Sequence, residues 1–215
     1  PYWRKVSATL DLPKPLATAA RIPTPPTWPV STELDALKLL PKIHWYSGMQ
    51  EAWRPGERGA MQHLGRFLDD SVANYGETRN LPAQTGTSRL SPHLHFGEIS
   101  PRQIWHTAAK WRGSQFMAEI GWREFAHHLL YHFPRTTNEP LRLEYQKFPW
   151  RDDVKQLQAW QRGRTGVPLV DAGMRELWHT GWMHNRVRMV VASFLVKNLR
   201  LHWLEGARWF WDTLV

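Results

Sequence analysis

From residue 31 onward the chain keeps a single hydrophobic period: apolar residues recur at intervals of three and four, and no stretch shows the alternation that a half-buried strand requires. Such a chain has no means of covering a sheet, so its core must come from helix packed on helix, and an all-α domain of at least six helices is expected. Thr32 with Asp35 three residues on opens a short helix carrying Leu34, Leu37 and Leu40, which Pro41 ends. Ala60, Leu64, Phe67, Leu68 and Val72 mark a long amphipathic helix from Glu57 to about Asn74. Ser100, Pro101 and Gln103 make a capping box with proline in the first helical position, and Gly113 closes that helix. Ser114 starts the next, striped by Phe116, Ile120, Phe125, Leu129 and Leu130 and stopped by Pro134. A short helix around Val154 to Arg162 follows, Pro168 opens a helix over Leu169 to Thr180 that Gly181 ends, and Trp182 to Leu199 forms another, with Val187, Val190, Val191, Phe194, Leu195 and Asn198 in register. No internal repeat of fixed period occurs.

Two segments depart from the helical pattern. Residues 1–30 hold Pro13, Pro15, Pro23, Pro25, Pro26 and Pro29 and read as an extended linker ahead of the helical domain at 31–215. Tyr75 to Ser100 is rich in Gly, Thr, Ser and Pro and reads as a long polar loop, of the kind that carries function. The chain starts at Pro1 and stops within the aromatic stretch Trp203 to Val215, and a piece of a longer protein is the expectation.

Composition narrows the function classes. With 42% hydrophobic residues the chain can build a core, which excludes wholesale disorder. The absence of Cys excludes disulfides, thiolate catalysis and Cys-based metal sites. The longest largely apolar run, Met189 to Val196, falls far short of the roughly 20 residues that a bilayer demands, and no secretory or transit signal opens the chain, which suits a bacterial cytoplasm. A net charge of +9 favours an anionic partner such as nucleic acid. The 14 Trp suit base stacking or a planar cofactor, as well as an ordinary core.

No metal site is expected, because His127 and His128 face apart, His93 and His95 lack a third ligand, and His63, His132 and His184 are scattered. No phosphate-binding glycine motif or nucleophile elbow occurs. The loop Gly86-Thr87-Ser88-Arg89-Leu90-Ser91-Pro92 can offer hydroxyls, N–H groups and a positive charge to phosphate oxygens, or can simply be a turn capping the next helix. Glu119, Trp122, Arg123 and Ala126 share one helix face, either as a hydrogen-bonding and stacking surface or as a solvated Glu119–Arg123 pair. Trp182, Asn185 and Met189 are spaced to line one side of their helix, with Arg186 and Arg188 pointing elsewhere; they suit a slot for a ring edge, or a core Trp and Met with a capping Asn.

Taken together, the runs at 86–92, 122–125 (Trp-Arg-Glu-Phe), 171–177 (Asp-Ala-Gly-Met-Arg-Glu-Leu) and 180–189 (Thr-Gly-Trp-Met-His-Asn-Arg-Val-Arg-Met) resemble the flavin-binding helical domain of the DNA photolyase/cryptochrome family over residues 30 to 215. The resemblance implies a fragment lacking the family's N-terminal α/β antenna domain and its C-terminal end. It implies FAD, active in its reduced form, held by Tyr75, Thr87, Ser88, Arg89, Leu90, Ser91, Phe116, Arg123 and Asn185, and an antenna chromophore, folate or deazaflavin, in the absent domain. Phe116 stands where relatives often have Trp, and the flavin-proximal Trp and the Asp pair at the flavin fall outside the chain. Damaged DNA is the implied partner, met by Arg79, Glu119, Trp122, Asn185, Arg186 and Met189; of these Glu119, Trp122, Asn185 and Met189 would be catalytic, with Trp150 and Trp203 as the outer members of an electron-transfer chain. His184-Asn185-Arg186 resembles the bacterial branch that splits cyclobutane pyrimidine dimers by light-driven electron transfer from FAD to the flipped-out dimer. A monomer working away from membranes is expected. A photoreceptor without repair, and a basic DNA-binding module without cofactor, are the alternatives.

Overall fold

A computed structural model describes residues 2–9, 11–17, 19–111 and 114–215. Eleven α-helices are found among them: α1 (Tyr2–Thr9), α2 (Ser47–Ala52), α3 (Glu57–Asp70), α4 (Tyr75–Thr78), α5 (Ser91–His95), α6 (Pro101–Thr107), α7 (Gln115–His132), α8 (Val154–Gln161), α9 (Pro168–Thr180), α10 (Asn185–Ser193) and α11 (Trp203–Thr213). The one extended pairing among the described residues is an isolated bridge between Arg151 and Leu201, so the all-α expectation holds.

Apolar side chains collect into two cores. The first gathers Ala60, Leu64, Phe67 and Leu68 of α3, Leu90 and Ile99 of the connecting segments, Ile104 of α6, and Phe116 and Met117 of α7. The second gathers Trp160 of α8, Val170, Met174 and Leu177 of α9, Val187 and Val191 of α10, and Leu195 and Leu201 beyond it. One link between them is α2, which packs on α9. Trp53, just after α2, donates its indole N–H to the carbonyl of Thr180 at 2.6 Å, and Gly48 lies so close to His179 that a Cβ there would come within 2.4 Å of the His179 carbonyl oxygen.

Local signals explain most boundaries. The Ser100 hydroxyl accepts from the Gln103 N–H while the Gln103 side chain accepts from the Ser100 N–H, so the capping box forms as read. Ser114 caps α7, and Gly181 ends α9 with φ of 70°, a left-handed conformation that glycine adopts without penalty. Gly113 lies outside the described residues.

Several expectations are corrected. The segment 1–30 is not extended throughout, because no proline falls between Tyr2 and Leu12; α1 forms there and sets Trp3 against Gly121 of α7 and edge-on to Trp105. The Leu34–Leu37 turn is a 3-10 helix that starts after Glu33, and Leu34, Leu37 and Leu40 stay exposed. The helix from Glu57 breaks at Ser71, whose φ of −124° leaves the helical region. The polar segment after Tyr75 holds two short helices, α4 and α5. Along α7 the stripe is buried at Phe116, half-buried at Ile120, Phe125 and Leu129, and exposed at Leu130, while Met117, outside the stripe, is buried. Trp182 is not helical, since α10 starts at Asn185, and Val190 is exposed; beyond Ser193 the chain widens into a π-helical turn over Phe194–Asn198. The stretch after Trp203 is helical too, as α11.

Candidate functional site

The short helix α4 is the junction of the site, because it meets α7 on one side and reaches α10 on the other. Tyr75 opens it and packs edge-on against Phe67 and Phe116, which anchors α4 on the first core. One turn on, the Arg79 guanidinium lies 5.4 Å from the Tyr75 ring centre and donates to the Glu119 carboxylate of α7. Gln115, one turn before Glu119, donates to the same carboxylate oxygen at 2.8 Å. Beside Arg79, the Asn80 side-chain oxygen accepts from Arg186 Nε of α10 at 2.8 Å, and Arg186 also approaches the Met189 sulfur at 3.5 Å. Burial, and then the Glu119 charge, push the Tyr75 phenol above its ordinary pKa, against a smaller opposing pull from Arg79 and Arg186.

The chain therefore brings Tyr75, Arg79, Glu119, Arg186 and Met189 into one constellation. Trp122, one turn past Glu119, is 61% exposed with its edge to Phe125; Met189 is 55% exposed, and Asn185 is exposed. Arg123 does not pair with Glu119. It pairs with its neighbour Glu124 at 2.9 Å, because Arg79 and Gln115 already occupy the Glu119 carboxylate.

The loop at 86–91 meets the end of α9. Gly86 packs so tightly on α4 that a Cβ would stand 2.7 Å from the Thr78 carbonyl oxygen. Arg89 takes a left-handed φ of 51°, and its guanidinium sits 4.3 Å over the Trp182 ring and 3.8 Å from the Glu176 carboxylate. Burial raises the Glu176 pKa, and Arg89 only partly offsets this. Leu90 is buried in the first core and fixes the loop. Thr87, Ser88 and Ser91 donate to no protein group among the described residues.

The cap of α10 is His184 rather than Asn185. Its Nδ1 accepts from the Arg186 N–H, which leaves the proton of the neutral ring on Nε2, buried without an acceptor among the described residues. Burial, then Arg186 and Arg188, lower the His184 pKa and keep the ring neutral. Arg188 donates to the Met183 carbonyl at 3.1 Å, while its Nε is buried without a partner among the described residues. The free hydroxyls of the loop and the half-exposed Arg89 guanidinium suit a polar anion such as a phosphate group.

Trp150 and Trp203 are also brought together. The His202 ring lies 5.0 Å from Trp150 and 5.9 Å from Trp203, and both Trp line a cavity of about 660 Å³. Sequence reasoning missed Gln115, Asn80, Trp53 and Glu176. The spacing of Gln115 to Glu119 was a readable signal, whereas Trp53 and Glu176 reach the site from elements far along the chain.

Residues 116–215 match the family described as the FAD binding domain of DNA photolyase. A deoxyribodipyrimidine photo-lyase from Agrobacterium fabrum is 46% identical over all of this chain and 47% of its own length; cryptochrome-2 from Arabidopsis thaliana is 36% identical over all of this chain and 38% of its own. The crystal structure of a bacterial class III photolyase from Agrobacterium tumefaciens superposes with a TM-score of 0.91 at 45% identity, covering 99% of this chain and 46% of that one. The chain thus spans less than half the length of these relatives.

Proposed function

The chain belongs to the DNA photolyase/cryptochrome family, and from that premise we propose that it holds FAD and serves light-driven repair of cyclobutane pyrimidine dimers in DNA. The observation that carries this is the Glu119 carboxylate, fixed by Arg79 and Gln115 on a face where Trp122 and Met189 stand exposed. A face built only for solubility has no need of exposed Trp and Met beside a locked carboxylate.

FAD would be held by Tyr75, Thr87, Ser88, Arg89, Leu90, Ser91, Phe116, Arg123 and Asn185, with hydroxyls and guanidinium toward its phosphates, and when reduced it supplies the photoexcited electron. Glu119 accepts hydrogen bonds from the extruded pyrimidines, and its fixed position is set before DNA arrives. Trp122 and Met189 give the extruded dimer an apolar contact surface in exchange for the stacking it loses. Arg79 and Arg186 would meet the DNA backbone, and Asn185 would contact both the flavin and the lesion. Trp150 and Trp203 would serve as the outer carriers of electrons toward the flavin. An antenna chromophore, folate or deazaflavin, would belong to a domain outside this chain, and the whole protein would act in a bacterial cytoplasm. Among the described residues no helix is long and apolar enough to cross a membrane.

The cryptochrome relatives favour a second reading, a flavin photoreceptor that leaves dimers intact. One experiment separates the two. The chain is loaded with FAD, freed of excess by gel filtration, reduced, and illuminated with a dimer-containing oligonucleotide. Repair that Glu119→Ala slows several-fold establishes the first reading; retained FAD with no repair establishes the second, and loss of FAD on the column removes both.

A further inference from the structure

The turn between α8 and α9 builds a cavity that none of the flavin and DNA residues lines. Gly163, with φ of 60°, lies so close to α9 that a Cβ would meet the Asp171 carbonyl oxygen at 2.6 Å, so only glycine lets this turn press onto the helix. The Asp171 carboxylate then latches the turn. It accepts from the Thr165 N–H at 2.7 Å, the Thr165 hydroxyl at 2.6 Å and the Gly166 N–H at 2.9 Å. Arg162 and Arg164 are thereby set beside Arg175 of α9, and all three, with Met174, Trp178 and Trp209, line a cavity of about 480 Å³.

The lining has an uncommon chemistry. Arg162, Arg164 and Arg175 are exposed, and none makes an ion pair among the described residues. Of the acids near them in sequence, Glu176 faces Arg89 at 3.8 Å and Asp171 is committed to the turn. Trp178 and Trp209 stack at 5.9 Å with their planes 12° apart, too close to admit a third ring between them, which leaves the outer face of the 55% exposed Trp178 free. The Trp209 indole N–H is buried without an acceptor among the described residues. A rigid aromatic platform beside three unpaired guanidinium groups matches one ligand chemistry: a flat ring joined to a phosphate.

We propose that this cavity binds a nucleoside phosphate, its base stacked on the outer face of Trp178 and its phosphate held by Arg162, Arg164 and Arg175. Asp171 and Gly163 act only by positioning the arginines. The ligand can come as a free nucleotide or as the phosphorylated end of a nucleic acid strand.

Calorimetric titration of the chain with AMP, adenosine and inorganic phosphate tests this, on wild type, on Trp178→Ala and on the double substitution Arg162→Ala and Arg164→Ala, each with and without saturating FAD. AMP should bind at least about tenfold tighter than adenosine or phosphate, and each variant should weaken it by about tenfold while leaving FAD binding unchanged. AMP binding that FAD abolishes and the variants leave intact belongs to the flavin site and overturns the proposal. Phosphate binding as tight as AMP and indifferent to Trp178→Ala overturns it as well. A 5′-phosphorylated dinucleotide decides the source: tighter than AMP with the same variant losses, it identifies a strand end; weaker, a free nucleotide.

Discussion

The Glu119 carboxylate shows how much one residue's role depends on its partners. From the sequence it could pair with Arg123 on its own helix; folding instead gives it to Arg79, just after α4, and Gln115, which frees its helix face for a ligand. That choice is measurable through Tyr75. Its raised pKa comes from burial first and the Glu119 charge second, with Arg79 and Arg186 pulling down. Glu119→Gln removes the second upward contribution and leaves both cations, so the Tyr75 pKa should fall. An NMR pH titration of labelled tyrosine would register this, and an unchanged or raised Tyr75 pKa would mean that the two side chains are not coupled. Glu119 was legible as a candidate because its type and spacing are local. Its partner was not, since Arg79 lies 40 residues away and only the packing of α4 on α7 brings it in.

Among the elements, those with chemical punctuation were readable and those held by packing were not. The capping box at Ser100, the Ser114 cap and the left-handed Gly181 are satisfied within a few residues, so the sequence contains the whole reason for them. Ser100→Ala should therefore cost about 1 kcal/mol, seen as a lower urea midpoint with an unchanged slope. By contrast α1 rests on packing, and α11 is capped by a ring nitrogen, His202 Nδ1, which accepts from the Leu204 N–H. Trp3 reaches Gly121 across 118 residues of chain, and Gly206 of α11 sits against the Leu195 side chain, where a Cβ would come within 2.6 Å of a leucine methyl. The start of α10 was misplaced by three residues since His184, rather than a hydroxyl or carboxylate, supplies the cap. The turn before α9 makes a sharper prediction. Burial alone would raise the Asp171 pKa, but the bonds from Thr165 and Gly166, with help from Arg175, outweigh it and bring it below the ordinary carboxylate value. Its contribution to stability is thus complete above the unfolded value of about 3.9 and is lost as pH falls through the lower folded value. Asp171→Asn should cost on the order of 1–3 kcal/mol at neutral pH and flatten that acid limb in denaturation curves recorded at successive pH values.

At the scale of the whole molecule, two cores meet through few polar ties: Trp53 to Thr180, Arg89 to Glu176 and Arg186 to Asn80. Two of these three involve residues assigned to the flavin and DNA, so the site occupies the seam and a ligand there would also join the cores. The net charge of +9 acts over the same surface. It attracts DNA of any sequence by displacing counterions, and it cannot by itself tell a lesion from an intact base. Discrimination has to come from uncharged contacts, for which exposed Trp122 and Met189 are the candidates. The two contributions separate in a salt titration of binding to dimer-containing and undamaged oligonucleotides. Arg186→Ala should reduce the slope of log K against log salt by about one and weaken both DNAs alike, because it removes one phosphate contact. Trp122→Ala should leave the slope unchanged and lower the preference for damaged DNA by about tenfold, the weight of one lost stacking contact. If Trp122→Ala weakened both DNAs equally, the exposed Trp would be part of a general binding surface, and lesion recognition would have to lie elsewhere in the protein.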